Sequence, residues 1–126
     1  MRYLLDTTVL IDHALGRHGA AELIARLFAE PADLLICDVV VTEALSKGPD
    51  EEMLVIGSLI RALEYVATHP EAAAWAGESR RRRRAVGPSS LADAVIAGVA
   101  WSMEATVVTR NPQDFEVQGV PVLAYR

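Results

Sequence analysis

The feature that most constrains this chain is a repeated pattern. A short apolar run stops at an acidic or hydroxyl residue, and a helix-type pattern follows. Tyr3-Leu4-Leu5 stops at Asp6, and Thr7 and Thr8 then lead into Val9-Leu10-Ile11. A threonine pair after a carboxylate is good N-cap material, so a strand ending at Asp6 and a helix beginning just after it are predicted. Leu34 to Cys37 is a second apolar run, closed by Asp38. The valines that follow favour a strand, whereas Asp38 as N-cap and the continuation Glu43-Ala44-Leu45 favour a helix; the helix is the expectation, with Gly48-Pro49 as its stop. Ala105 to Thr109 is a third run. Val120 to Leu123 is a last one, and Pro121 makes it an edge strand.

The intervening segments read as helices. Ala21, Leu23, Ile24, Leu27 and Phe28 have helical spacing between Ala20 and Ala29, and Pro31 stops it. Asp50-Glu51-Glu52 opens a helix running to about Leu63, with acids where the helix dipole favours them. Tyr65-Val66-Ala67 is a short strand. Pro70 to about Ala85 is helical, with proline in its first turn, and Gly87-Pro88 breaks it. Ser90-Leu91-Ala92-Asp93 resembles a capping box, followed by the small-residue face of Leu91, Ala94, Val95, Gly98, Val99 and Ser102. Strands alternating with helices imply an α/β fold with a parallel sheet, in one domain spanning residues 1–126.

In open parallel sheets, sites form beyond the carboxyl ends of the strands. Asp6 follows the first strand, Glu43 lies a turn or so beyond the second, and Thr109, Asn111 and Asp114 follow the third. Asp93 opens the capping-box helix. Ionised carboxylates beside a core are costly and raise one another's pKa values unless a cation compensates them. An oxygen-only donor set suits Mg²⁺ or Mn²⁺, not zinc, and His13, His18 and His69 fall outside the cluster. The fitting chemistry is phosphodiester hydrolysis, in which a metal lowers the pKa of bound water and a second ion about 4 Å away stabilises the leaving oxygen. No Gly-rich phosphate loop and no Ser or Cys nucleophile with a His partner is present, which argues against nucleotide kinases, GTPases and acyl-transfer enzymes.

Composition narrows the setting. Apolar residues make up 52% of 126 residues, a globular balance with enough chain for a core. No apolar run approaches the roughly 18 residues of a membrane span, and the opening residues do not read as a signal peptide. The single cysteine, Cys37, sits in an apolar run as a core residue, which fits a reducing cytoplasm. The net charge of −5 conceals an asymmetry: apart from the consecutive Arg80, Arg81, Arg82, Arg83 and Arg84, seven basic residues face seventeen acidic ones. That run is read first as a solvated helix end and second as a contact to RNA phosphates or an acidic partner. Asp12 is expected to point away from the acidic edge, as a solvated or capping residue. Trp75 and Trp101 are read as packing or interface residues.

Four motifs now carry a resemblance. Leu5-Asp6-Thr7-Thr8-Val9-Leu10-Ile11-Asp12 resembles the opening of PIN-domain ribonucleases, in particular VapC-type toxins of toxin–antitoxin systems. The likeness continues through Thr42-Glu43-Ala44-Leu45, through Gly87 six residues before Asp93-Ala94-Val95-Ile96-Ala97, and through Val108-Thr109-Arg110-Asn111-Pro112-Gln113-Asp114-Phe115. It spans essentially the whole chain. The resemblance implies a three-layer α/β/α PIN-like fold with a central parallel sheet of four to five strands. It implies a metal pocket of Asp6, Glu43, Asp93 and Asp114, with Thr7 or Thr8 and Asn111 as supporting polar groups. It also implies Mg²⁺- or Mn²⁺-dependent endoribonuclease activity on cellular RNA, a VapB-like antitoxin partner and a homodimer. Val95 and Pro112 depart from the usual pattern without removing a ligand, and the arginine run is no part of the family signature. Two rival readings accompany this one: a nuclease of the same fold acting on DNA or structured ends, and a catalytically inactive scaffold that binds RNA or a protein.

Overall fold

The first apolar run becomes the centre of the molecule. In the computed structural model, which describes residues 1–84 and 90–125, β1 (Arg2–Leu5) lies in the middle of an all-parallel five-stranded sheet. Its companions are β2 (Asp33–Cys37), β3 (Glu64–Val66), β4 (Thr106–Thr109) and β5 (Val122–Ala124), in the order β3-β2-β1-β4-β5. Leu4 pairs with Leu35 on one side and with Val107 on the other. Parallel strands are covered on both faces, so they read as continuous apolar runs rather than alternating ones. Leu4, Leu5, Leu35, Ile36, Val107 and Val108 are accordingly all fully buried. The two edge strands have three residues each, which leaves little unpaired backbone for another chain to join.

Among the described residues, seven helices connect and cover the strands: α1 (Thr7–Leu15), α2 (Ala20–Ala29), α3 (Asp38–Ala44), α4 (Asp50–Ala62), α5 (Pro70–Arg83), α6 (Leu91–Met103) and the single turn α7 (Gln113–Glu116). The expected break at Gly87-Pro88 and the helix end at Ala85 lie outside the described residues. Several boundaries differ from expectation for local reasons. Asp6 itself is the N-cap of α1, its carboxylate accepting the Thr7 amide, and the threonines lie inside the first turn. Asp38 is the first residue of α3 rather than its cap; its carboxylate accepts from the Val39 amide and from both the amide and hydroxyl of Thr68. This ties the start of α3 to the segment after β3. Helix α3 ends at Ala44, short of Gly48-Pro49. The last strand starts beyond Pro121, whose carbonyl accepts the Val107 amide at 2.9 Å before the regular ladder begins. The segment after Asn111 forms α7, not an open loop.

The small-residue face of α6 allows a close approach to α5. A Cβ on Gly98 would stand 2.4 Å from the Ala72 carbonyl oxygen, so only glycine fits there. Within one turn of this contact, Trp75 stacks on Trp101 with ring centroids 5.8 Å apart, in line with their reading as packing residues.

Candidate metal centre

The chain path chooses where a site can form. From β1 the connection runs to β2 on one side, whereas β4 enters on the other side and continues to β5. The crevice between the carboxyl ends of β1 and β4 is therefore the topological switch point of the sheet. Asp6 stands at the end of β1 and Thr109 at the end of β4, and the Asp6 amide extends the ladder by donating to Val108 O at 3.0 Å.

Asp6 is only 4% exposed. Its Oδ1 accepts the Thr7 amide at 2.8 Å, and its Oδ2 accepts the Thr109 hydroxyl at 2.8 Å and the Thr8 hydroxyl at 3.2 Å. Burial pushes its pKa up and outweighs the three donors that favour the carboxylate; the charge of Glu43 adds to the rise. Glu43, in the last turn of α3, is exposed and accepts the Thr7 hydroxyl at 2.7 Å. Thr7 thus bridges two of the acids, its amide on Asp6 and its hydroxyl on Glu43.

Asp93 enters from the opposite layer. Ser90 caps α6 by accepting the Asp93 amide at 3.2 Å, which leaves the Asp93 carboxylate free in the first turn. Helices α3 and α6 touch, so Glu43 and Asp93 approach the crevice from its two sides. Burial, and after it the charges of Asp6, Asp114 and Glu43, raise the Asp93 pKa to about 6. Asp93 therefore feels all three of the other acids named from the sequence. Asp114 is exposed on α7. That turn is pinned from behind, because the buried Gln118 donates to the Asp114 carbonyl at 2.9 Å and accepts the Ser79 hydroxyl of α5 at 3.1 Å.

The supporting groups divide. Thr7 and Thr8 both contact the acids, as described. Asn111 contributes its backbone amide, which donates to Thr109 Oγ1 at 3.0 Å. Thr109, grouped with the acids at the sheet edge but given no role of its own, is the buried donor that joins β4 to Asp6. Its signal was available in the sheet: a polar residue closing the strand beside β1 faces the residue closing β1 itself.

Two readings of the sequence need correction. Asp12 does not point into solvent; it is 2% exposed. It accepts from Arg110 Nε at 2.8 Å and from the Tyr125 hydroxyl at 2.7 Å. Its partners follow it by nearly the whole chain, so no local pattern announces them. Arg83, read with its neighbours first as a solvated helix end, is instead half-buried, and its Nη1 donates to the Val117 carbonyl at 2.9 Å, bracing the end of α7. Arg80, Arg81, Arg82 and Arg84 are exposed.

The donor set at the crevice is carboxylate oxygen throughout. Among the described residues no three Asp, Glu, His or Cys side chains already close around one point. Mg²⁺ does not require that: it takes one or two protein carboxylates and keeps waters and phosphate oxygens for the rest, so these residues fit it.

The PIN domain family model matches residues 3–119. The chain belongs to the PIN-domain family. A curated relative, Ribonuclease VapC19 of Mycobacterium tuberculosis, is 27% identical to this PIN domain over 114 residues, covering 89% of this chain and 90% of that one. Among solved structures, VapBC2 from Rickettsia felis bound to a promoter DNA fragment aligns over 100% of both chains with a TM-score of 0.85 and 19% identity. DNA-bound VapBC from Salmonella typhimurium aligns over 98% of both chains with a TM-score of 0.81 and 24% identity. These structural likenesses establish that the five-stranded α/β arrangement is that of PIN-domain structures. No helix among the described residues is long and apolar enough to cross a membrane.

Proposed function

We propose that this PIN domain is the toxin of a toxin–antitoxin pair: a Mg²⁺- or Mn²⁺-dependent endoribonuclease acting on cellular RNA in the cytoplasm. The observation that carries the reading is the electrostatics of the crevice. Asp93, held at the N-terminus of α6, is pushed to about 6 by burial and by the charges of Asp6, Asp114 and Glu43. Such a set is poised for a cation and is unfavourable without one. The name of the VapC19 relative supports the ribonuclease assignment.

Asp6 and Asp93 would hold the metal, with Glu43 and Asp114 as the outer carboxylates. The ion would polarise the scissile phosphate and lower the pKa of an attacking water. The protein's own part is orientation. Thr109 and Thr8 hold Asp6 Oδ2, and the Thr7 amide holds Oδ1, which leaves one lone-pair site on Oδ1 for a cation. The Thr7 hydroxyl aims Glu43 at the same crevice.

A VapB-like antitoxin is the proposed partner. VapBC from Rickettsia felis and from Salmonella typhimurium share this fold, and this chain leaves apolar side chains uncovered on helices that touch: Ile11 on α1, and Leu54, at 73% exposure, and Val55 on α4. Uncovered apolar groups on adjoining helices suit a docked segment. A homodimer is proposed with it, checked by light scattering on the free protein.

The test is cleavage by purified protein. Wild type with Mg²⁺ or Mn²⁺ is expected to cut single-stranded RNA, EDTA to stop it, and Asp6→Ala to abolish it while the circular dichroism spectrum stays native. Undiminished cleavage by Asp6→Ala would overturn the assignment. Cutting of DNA instead of RNA would favour the same-fold DNA nuclease, and absence of any Mn²⁺ binding by calorimetry would favour the inactive scaffold.

A further inference from the structure

Beside the acidic crevice lies a smaller cavity that the chemistry above does not use. It has a volume of about 360 Å³ and is lined by Arg110, Pro112, Ala124 and Tyr125. Two hydrogen bonds join its wall to the metal centre: the Arg110 amide donates to Thr8 Oγ1 at 3.3 Å, and that hydroxyl donates to Asp6 Oδ2 at 3.2 Å. The cavity wall is thus hydrogen-bonded to a group that holds Asp6.

The buried Asp12 presets the two functional side chains. Arg110 lies side-on to it, Nε donating at 2.8 Å and Nη2 at 3.4 Å. The Arg110 side chain is 36% exposed, whereas that of Asp12 is 2% exposed. Of the five guanidinium N–H groups, this grip uses two and leaves Nη1 and one N–H of Nη2 side by side. Tyr125 is anchored on the same carboxylate through its hydroxyl, which fixes the ring at the cavity wall. A flat aromatic ring beside a fixed planar fork is the equipment that reads a splayed base in single-stranded RNA.

Because Asp12 already balances the Arg110 charge, the guanidinium offers directed hydrogen bonds more than net positive charge. That favours a base edge over a phosphate. Two adjacent donors match two adjacent acceptors, and among the bases the O6/N7 edge of guanine presents that pair. The volume lies at the small end of ligand pockets, enough for one base and too small for a duplex.

We propose that this cavity is a base-reading subsite for the nucleotide flanking the scissile bond: Tyr125 stacks the base, Arg110 selects guanine, and Asp12 is the positioning residue for both. The inference rests on the ribonuclease reading. It explains why a buried carboxylate that takes no part in the metal centre is matched to one residue on each of two later segments.

The experiment has two arms. In the first, oligoribonucleotides randomised around the cut site are digested with Mn²⁺. Wild type is expected to prefer guanine at one flanking position by at least about tenfold in kcat/KM, the range that a bidentate base contact supports. Arg110→Lys, which keeps the charge but loses the fork, should flatten that preference. Tyr125→Phe should keep it, and Tyr125→Leu should raise KM for every sequence. In the second arm, guanosine and uridine 5′-monophosphates are titrated into wild type while the Tyr125 ring protons are followed by NMR, a reading independent of how any variant folds. Guanosine monophosphate should shift them and uridine monophosphate should do so less. An unchanged cleavage preference in a folded Arg110→Lys, or no guanosine-dependent shift at Tyr125, overturns the subsite. If wild type cuts no RNA at all, the ribonuclease reading fails, and the nucleotide titration still decides whether the cavity binds guanine.

Discussion

Asp6 has almost no freedom left to it. Two threonine hydroxyls and one amide saturate its fixed side, and burial removes water from the rest. Thr109→Val deletes one of those donors inside the core without changing the side-chain shape. A loss of about 1–2 kcal/mol of stability is expected, together with a 10- to 100-fold loss of Mn²⁺ affinity, as when an outer-shell partner of a metal ligand is removed; calorimetry and thermal melts check both. Asp93 provides the opposite case. Its folded-state pKa, about 6, stands above the ordinary 3.8, so the fold disfavours the ionised form. That penalty is fully present above about pH 6, shrinks as the pH falls, and is gone below the ordinary value. Asp93→Asn should therefore raise the stability of metal-free protein at pH 7 by roughly 1 kcal/mol, a figure lowered for the solvent that reaches this half-buried group, and the gain should vanish near pH 3. Denaturant melts at the two pH values decide it. At this scale the sequence disclosed residues with a local signature. Asp6 closes an apolar run and Asp93 stands three residues after the capping Ser90. Asp12 stayed hidden because its partners lie 98 and 113 positions away, and Thr109 because its use depends on which strand lies beside β1.

At the scale of elements, helix propensity and apolar periodicity located most helices and strands of the described chain within a few residues of where they fold. Each exception has its own physical cause. Asp38 joined α3 because Thr68 takes its carboxylate, and Pro121 delayed β5 because it has no N–H to donate. The short α7 was unreadable, since four residues show no period, and its position is set instead by Gln118 and Arg83. The α5–α6 contact gives the sharpest test of packing. Gly98→Ala would push a methyl group into the Ala72 carbonyl and force the helices apart. A cost of about 1–3 kcal/mol is expected from overpacking, read by chemical denaturation. Activity should fall as well, because α6 carries Asp93 into the crevice.

For the whole molecule, the sheet order does the assembling. The parallel α/β reading put Asp6 at the carboxyl end of a strand, where it stands, but order and switch point are long-range properties that no segment encodes alone. Binding of an ion only to the folded state should stabilise the entire domain by about 2.7 kcal/mol when the metal is at 100 times its Kd. Mg²⁺ or Mn²⁺ should therefore raise Tm by several degrees, EDTA should reverse the rise, and Asp6→Ala should show almost none; differential scanning calorimetry reads all three.

The bond from Thr109 to Asp6 has a consequence for synthesis. It joins residues 103 positions apart, the second near the start of the chain and the first near its end. On the ribosome Asp6 emerges early, with Thr7 and Glu43 soon after, but β4, the strand that orients it, is made much later. Domains of this kind fold as units during or after synthesis. A growing chain thus carries its acids without the centre they form, and a nuclease of cellular RNA would stay harmless to the ribosome making it until its final strands are released.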